Sequence, residues 1–432
     1  MYDWANSAFV LVVVTAIFPI FYRNVSASAL PDDAATTYFG WVTTFVLLLV
    51  AILSPVLGAM ADFLAWRKKL LAVSLIIGAL STAAMVFLEE GEVLFALVLF
   101  ALGNFGLSTS FVFYDGLLPH LANDEEIDRV SSGGYALGYL GSGLLLVLNL
   151  LWIQFPEGWG FGDSGTATRF AFLSVALWWL GFSIPALRGI KEPPRLIETD
   201  ERSTMKAIRV STRRLYETFL ELRGTYKQTF LLLLAILIYS DGIGTIIRMA
   251  ALYASTQGLP QGDVILAILL VQFIGVPCSF LFGGLASAIG TKPAILIGLC
   301  VYVATTIVAY SLDTVVEFYI LALLVGLVQG GTQALSRSLF ASMIPRHKAS
   351  EFFGFFSFSD KVAGIGGPLL FSTIIGMTGS NQTAILSIMI FFVVGGALLM
   401  LVDVEKGRRE VMLSEQKVLG DVRKGYLDSE MK

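Results

Sequence analysis

Charged side chains, cysteines and histidines are all scarce in this 432-residue chain. Asp, Glu, Lys and Arg make up 14% of it, where soluble domains carry about 25%, and this excludes an ordinary soluble protein. The two cysteines, Cys278 and Cys300, both fall inside apolar runs, which excludes a disulfide framework. Two histidines, His120 and His347, are too few for a multi-histidine metal site. There is no Gly-x-x-x-x-Gly-Lys-Ser/Thr loop to cradle nucleotide phosphates. Nor is there an intramembrane pairing of nucleophile and base, so the expectation is not an enzyme. No cofactor and no nucleic-acid partner is implied. The first apolar run lacks a basic flank and an A-x-A site, so it reads as a span rather than a cleaved signal.

What the chain has in quantity is apolar sequence: 56% hydrophobic residues and a mean hydropathy of +0.77. A helix needs about 20 apolar residues to cross a bilayer. Runs 38–61, 264–290 and 383–402 contain no charge at all. The pattern predicts twelve spans, at 4–22, 39–61, 70–88, 93–114, 133–152, 170–188, 229–253, 264–288, 293–312, 318–340, 352–375 and 384–402. The expected fold class is therefore an all-α polytopic membrane protein. Lys and Arg set the direction. With both termini inside, 24 basic residues fall in inner loops, linker and tail, Arg23 and Arg169 fall outside, and Arg248, Arg337 and Lys361 lie within spans. The expected location is the plasma (inner) membrane of a cell, with both termini cytoplasmic.

Six spans, a polar linker and six more spans predict two pseudo-symmetric bundles: 1–188, a cytoplasmic linker at 189–228, 229–402, and a cytoplasmic tail at 403–432. In the linker, Ile208, Leu215, Phe219 and Leu222 fall near one helical face between Arg209, Arg213, Arg214 and Arg223. That pattern suits either a helix lying on the inner leaflet or a solvated inter-domain helix. The halves repeat each other. Gly58, Asp62 and Arg67 map with one offset onto Gly283, Ser287 and Lys292. Asp115 and Arg337 end spans 4 and 10. Span 5 carries Gly138, Gly141 and Gly143, and span 11 carries Gly364, Gly366 and Gly367, small residues that let helix backbones approach.

The segment Gly58-Ala59-Met60-Ala61-Asp62-Phe63-Leu64-Ala65-Trp66-Arg67-Lys68-Lys69 resembles the signature loop of the major facilitator superfamily, Gly-x-x-x-Asp-Arg-x-Gly-Arg-Lys/Arg. Phe63 stands where that loop has Arg, and Ala65 where it has Gly. Parallel six-span repeats are the plan of that superfamily. The opening Tyr2-Asp3-Trp4-Ala5-Asn6-Ser7-Ala8-Phe9 resembles the vacuole effluxer-like branch, as do 239–242, 330–338 and 351–355. Relatives carry a polar stretch before the Tyr-Asp-Trp motif, which here begins at residue 2. The resemblance covers nearly the whole chain and implies a transporter. The fungal vacuolar members are associated with amino-acid export, so the resemblance adds amino acids as a substrate class.

Asp241 lies twelve residues into span 7, about 18 Å at 1.5 Å per residue and close to the midplane. Intramembrane carboxylates commonly bind protons, cations or amines. The plainer reading is a partner for Arg248, two turns away. Asp3 and Asn6 share a helical face at the inner end of span 1, suiting substrate contact or packing at an inner gate. Asp115 and Arg337 suit a pair across the halves when that gate is closed; the alternative is that each binds local backbone or water. Asp62 is expected at the N-terminus of span 11, with Arg67 beside it in the gate loop. Asp360 and Lys361 lie within span 11, where Lys361 could meet a substrate carboxylate. Gln333 is a further polar point, more often an interhelical hydrogen bond than a ligand. His120 and His347 read as plain exposed loop histidines rather than pH sensors. The expected function is secondary active transport of a small polar solute by alternating access, proton-coupled, in a monomer. Alternatives are a drug or metabolite exporter of the same fold, or a non-transporting sensor or receptor.

Overall fold

The computed structural model describes residues 1–193, 216–256, 259–312 and 314–430. Twelve helices among them are long and apolar enough to cross a membrane. In chain order they are α1 Tyr2–Ser26, α2 Asp32–Leu64, α3 Arg67–Phe87, α4 Val93–Leu121, α5 Ile127–Gln154, α6 Ser164–Gly189, α7 Lys227–Thr256, α8 Gln261–Ile289, α9 Thr291–Tyr310, α10 Val315–Ala341, α11 Ala349–Thr378 and α12 Asn381–Leu401. A thirteenth helix, α13, runs from Val404 to Glu430, so the tail is helical. No strand occurs among the described residues. Most of the linker stripe, including Ile208, Arg209, Arg213, Arg214 and Leu215, lies outside the described residues. Within the described part, 216–224 is helical, with Leu222 buried and Phe219 exposed.

Local chemistry sets the helix ends. Asp163 caps α6 by accepting the Thr166 amide at 2.8 Å. Thr314 and Glu317 form a capping box at the start of α10. At the other end of the bundle, α2 stops at Ala65 with φ 51° and ψ 48°, and α8 stops at Gly290 with φ 95°. These are matching positions of the repeat. Both positions take a positive φ, which Gly290 adopts freely and Ala65 adopts, in the left-handed helical region, against its own Cβ.

One large apolar cluster joins buried residues mostly of α7–α12, among them Tyr239, Tyr302, Phe340 and Phe392. Another joins α1, α3, α4, α5 and α6 around Phe9, Phe18, Phe100 and Trp179. The opening motif anchors α1 between this cluster and a smaller one of Tyr2, Leu71, Phe113 and Leu117. The Tyr2 ring lies 4.7 Å from that of Tyr114. Trp4 stacks on Trp178 at 5.5 Å, and the Trp178 indole N–H donates to the Trp4 carbonyl. A row of glycines on α5 makes room for α1: side chains at Gly138 or Gly141 would collide with Ser7 and Trp4.

The loops at 65–66, 122–126, 290 and 342–345, the two linker ends and the tail share one end of the bundle, where most basic residues gather; this is the basic end. There the two sets of helices are in direct contact. Pro55 and Ser54 of α2 meet Gly354 of α11, where an added Cβ would lie 2.6 Å from the Pro55 Cα. Ser54 and Ser357 share a hydrogen bond of 3.2 Å. A side chain at Gly58 would run into the Ser350 carbonyl. On the other flank Tyr139 of α5 fills the space left by Gly275 of α8 and Gly330 of α10.

Candidate functional site

Two polar layers stand out in this apolar bundle. The first closes the basic end. Asp62, at the end of α2, accepts the Ser350 amide at 3.2 Å and the Glu351 amide at 2.9 Å. Those amides belong to the first turn of α11, where no carbonyl of the helix can reach them. The carboxylate therefore caps a helix of the opposite half and meets the positive end of its dipole. Arg67 pairs with Asp62 at 2.7 Å and donates from Nε to the Ser350 hydroxyl at 3.0 Å. Glu192, just beyond α6, accepts the Arg67 and Lys68 amides at 2.9 Å each, and so ties the start of the linker to the loop between α2 and α3.

Arg337 of α10 forms the centre of the same layer. Its Nη1 contacts Asp3 of α1 and Asp115 of α4, both at 3.2 Å. Its Nε donates to the Ser131 hydroxyl at 3.0 Å and its Nη2 to the Ser131 carbonyl at 3.2 Å. The Tyr114 hydroxyl donates to the other oxygen of Asp3. The guanidinium lies 4.8 Å from the Tyr135 ring. Asp3, Asp115 and Arg337 are all more than nine-tenths buried. Nearby, Asp128 of α5 accepts hydrogen bonds from Thr291 at 2.6 Å and from Ser338. Sequence reasoning named neither Ser131, Asp128 nor Glu192. Their partners are 124 to 210 residues away, and no local spacing signals them.

The second layer is at mid-depth in the second half. Asp241 of α7 is 5% exposed and presses against Gly366 and Gly367 of α11, where any side chain would displace it. Its Oδ1 has no hydrogen-bond partner. Asp241 and Arg248 do not form an ion pair. The Arg248 guanidinium folds toward Gly244 and Gly364, with Asp360 and Asp241 both near enough to act on its charge. Lys361 pairs with the adjacent Asp360 at 2.8 Å. Asn6 is buried, with its Nδ2 unsatisfied, and does not join Arg337. Gln333 is half-buried, one turn from Arg337.

The histidines depart from expectation. His120 lies on the last turn of α4 rather than in a loop, and both it and His347 are half-buried. No group of three or more metal-ligating side chains occurs among the described residues.

A family model described as "Vacuole effluxer Atg22 like" matches residues 33–412. The chain belongs to this family. It is 34% identical over 416 residues to an uncharacterized MFS-type transporter, YxiO, of Bacillus subtilis (strain 168), covering 94% of both chains. It is 24% identical to Autophagy-related protein 22-1 of Phaeosphaeria nodorum, covering 82% of this chain and 73% of that one. Among solved structures it resembles the human organic anion transporter MFSD10, with a TM-score of 0.72 at 13% identity over 92% of this chain and 97% of that one. It also resembles FucP of the major facilitator superfamily in its outward conformation, with a TM-score of 0.67 at 12% identity over 93% of this chain and 98% of that one. The fold is the major facilitator fold, and the chain is an integral, multi-pass membrane transporter rather than an enzyme.

Proposed function

We propose that this transporter moves a small polar solute, with amino acids as the first class to test, by alternating access of two halves, 1–188 and 229–402. The linker at 189–228 joins them and the tail at 403–432 follows. The observation that carries this reading is Asp241, a buried carboxylate whose Oδ1 is left without a partner. An ionised carboxylate in apolar surroundings is costly until a proton or a cation neutralises it. A proton or a substrate ammonium would meet that need. Arg248, Asp360 and Lys361 line α7 and α11 close by, and the two cations suit a substrate carboxylate. Asp62, Arg67, Asp115 and Arg337 act as the gate, with Asp3 as a gate residue rather than a substrate contact. The basic end faces the cytoplasm of a plasma (inner) membrane, following the basic-residue asymmetry. The working unit is a monomer, coupled to protons.

Proteoliposome flux with a labelled amino-acid panel, with and without a pH gradient, tests this reading on wild type and Asp241→Asn. Gradient-dependent flux that falls at least tenfold in Asp241→Asn is the expected result. Flux indifferent to the gradient would remove proton coupling. No flux of any amino acid would remove that substrate class and turn the search to other metabolites.

A further inference from the structure

We infer that the tail helix α13 is a strap that positions the α10–α11 loop for closure of the basic end, with Glu415 as its main positioning residue. This rests on the alternating-access reading but not on Asp241 or on a proton. The loop, 342–348, runs from the end of α10, which carries Arg337, to the start of α11, whose amides meet Asp62. It is held from the tail, from α7 and from the linker end. Arg408 of α13 donates from Nη2 to the Ser342 hydroxyl at 3.3 Å. Glu415 of α13 accepts the Arg346 amide at 2.7 Å. Thr229 of α7 donates to the Met343 carbonyl at 2.6 Å, and Glu221, just before α7, pairs with Lys348 at 2.6 Å. The helix α13 is itself fixed to the second half. The Asp403 amide donates to the Gln228 side chain at 2.8 Å and Tyr226 donates to Ser414 at 2.6 Å. Val411 is buried in the apolar cluster of the second half, and a side chain at Gly407 would collide with Met343.

Arg346 is the point where the strap meets the interface. Its amide goes to Glu415 of the tail, while its backbone also faces His120 of α4, in the first half. Asp62 holds the Ser350 and Glu351 amides at 3.2 and 2.9 Å, and the first of these is already at the long end of the normal range. A loop free to drift by a few tenths of an ångström loses that bond. Glu415 and Arg408 remove this freedom before the halves meet, so less conformational entropy is lost at each closure. The strap travels with the second half and does not itself have to detach when the basic end opens.

The test is the rate at which a cysteine at Ser357, buried when the basic end is closed, reacts with a membrane-impermeant maleimide. It is read in the full chain with Cys278→Ala and Cys300→Ala, in lipid nanodiscs. In Glu415→Ala the rate should rise about threefold or more, the scale of one hydrogen bond lost at a part-exposed site. Glu415→Gln keeps an acceptor for the Arg346 amide and should label like wild type. Tyr226→Phe, which releases Ser414, should also label faster and serves where Glu415→Ala does not fold. In an Asp62→Asn chain, whose latch is already weakened, Glu415→Ala should add little, because the two act through one contact. Unchanged rates in Glu415→Ala and Tyr226→Phe, beside a raised rate in Asp62→Asn, would overturn the strap and leave alternating access standing. Equal rises in Glu415→Ala and Glu415→Gln would overturn it as well, since lost charge and not the lost bond would be the cause. So would a full further rise in the Asp62→Asn chain, since α13 would then act apart from the latch. A cysteine that stays unreactive in every variant, Asp62→Asn included, would count against alternating access at this end, and the strap would fall with it.

Discussion

Asp62 illustrates how one side chain can hold two halves of a bundle together. Its oxygens serve amides of α11 while its charge balances Arg67. In Asp62→Asn the amide oxygen can still accept one hydrogen bond, but Arg67 stays buried without an anion. Breaking a buried pair from one side costs about 3–5 kcal/mol, on the order of a hundredfold or more in an equilibrium. That cost falls on the closed state, where Arg67 is buried. The expected outcome is a gate that opens more often. A cysteine at Ser357, buried when the basic end is closed, should react with a membrane-impermeant maleimide tens of times faster in Asp62→Asn. Ala65 gives a second, opposite prediction. Its left-handed backbone costs about 1–2 kcal/mol in a residue with a Cβ, a cost that glycine does not carry at a positive φ. Ala65→Gly should therefore raise stability by about 1 kcal/mol, read as a higher thermal midpoint in detergent. A midpoint at or below wild type would mean that the turn is held by its surroundings at no cost.

At the scale of helices, polar residues at span ends do the work that apolar runs do in mid-membrane. Hydropathy placed span 5 at 133–152, whereas α5 begins at Ile127. The missing turn contains Asp128, Ser131 and Ser132; Asp128 and Ser131 bond to α9 and α10, and Ser132 packs against Gly283 of α8, so the turn is held by the opposite half rather than by being apolar. Span 4 was likewise placed to 114, while α4 continues to Leu121 and takes in Asp115 and His120. A rule that counts apolar residues is blind to such turns, since their stability comes from the opposite half of the chain. The repeat of Gly58, Asp62 and Arg67 was legible because it is a pattern along one chain. The triad of Asp3, Asp115 and Arg337 was legible only as the pair of matching positions 115 and 337. Asp3 joins it through the docking of α1 against Gly134, where any side chain would displace the carboxylate. The crossing of α2 and α11 depends on Gly354 in the same way. Gly354→Leu has no room beside Pro55, so the basic end should fail to close while each half still folds. The variant should keep its helical circular dichroism and lose transport.

For the whole molecule, the two halves share one plan but divide their charges differently. Where α10 offers Arg337, α4 offers Asp115 at the matching position, so the two attract across the interface instead of duplicating each other. The first half thus finds a cation for its buried carboxylates in the second half. Asp241, in the second half, has Arg248 within electrostatic range but forms no ion pair. In the proposed transport cycle the paired layer is the latch and the layer without an ion pair is the one open to a ligand. If the latch must open for each transport cycle, fixing it should stop the cycle without unfolding the protein. Ser54 and Ser357 provide the means, because their hydroxyl oxygens lie 3.2 Å apart across the interface. In a chain without Cys278 and Cys300, Ser54→Cys with Ser357→Cys should oxidise to a disulfide that spans the halves. Flux should then fall at least tenfold and return on reduction, whereas each single cysteine variant should keep its flux under the same oxidant. Bridge formation with undiminished flux would mean that α2 and α11 do not part at this end during transport, and the gate would have to be sought elsewhere in the interface.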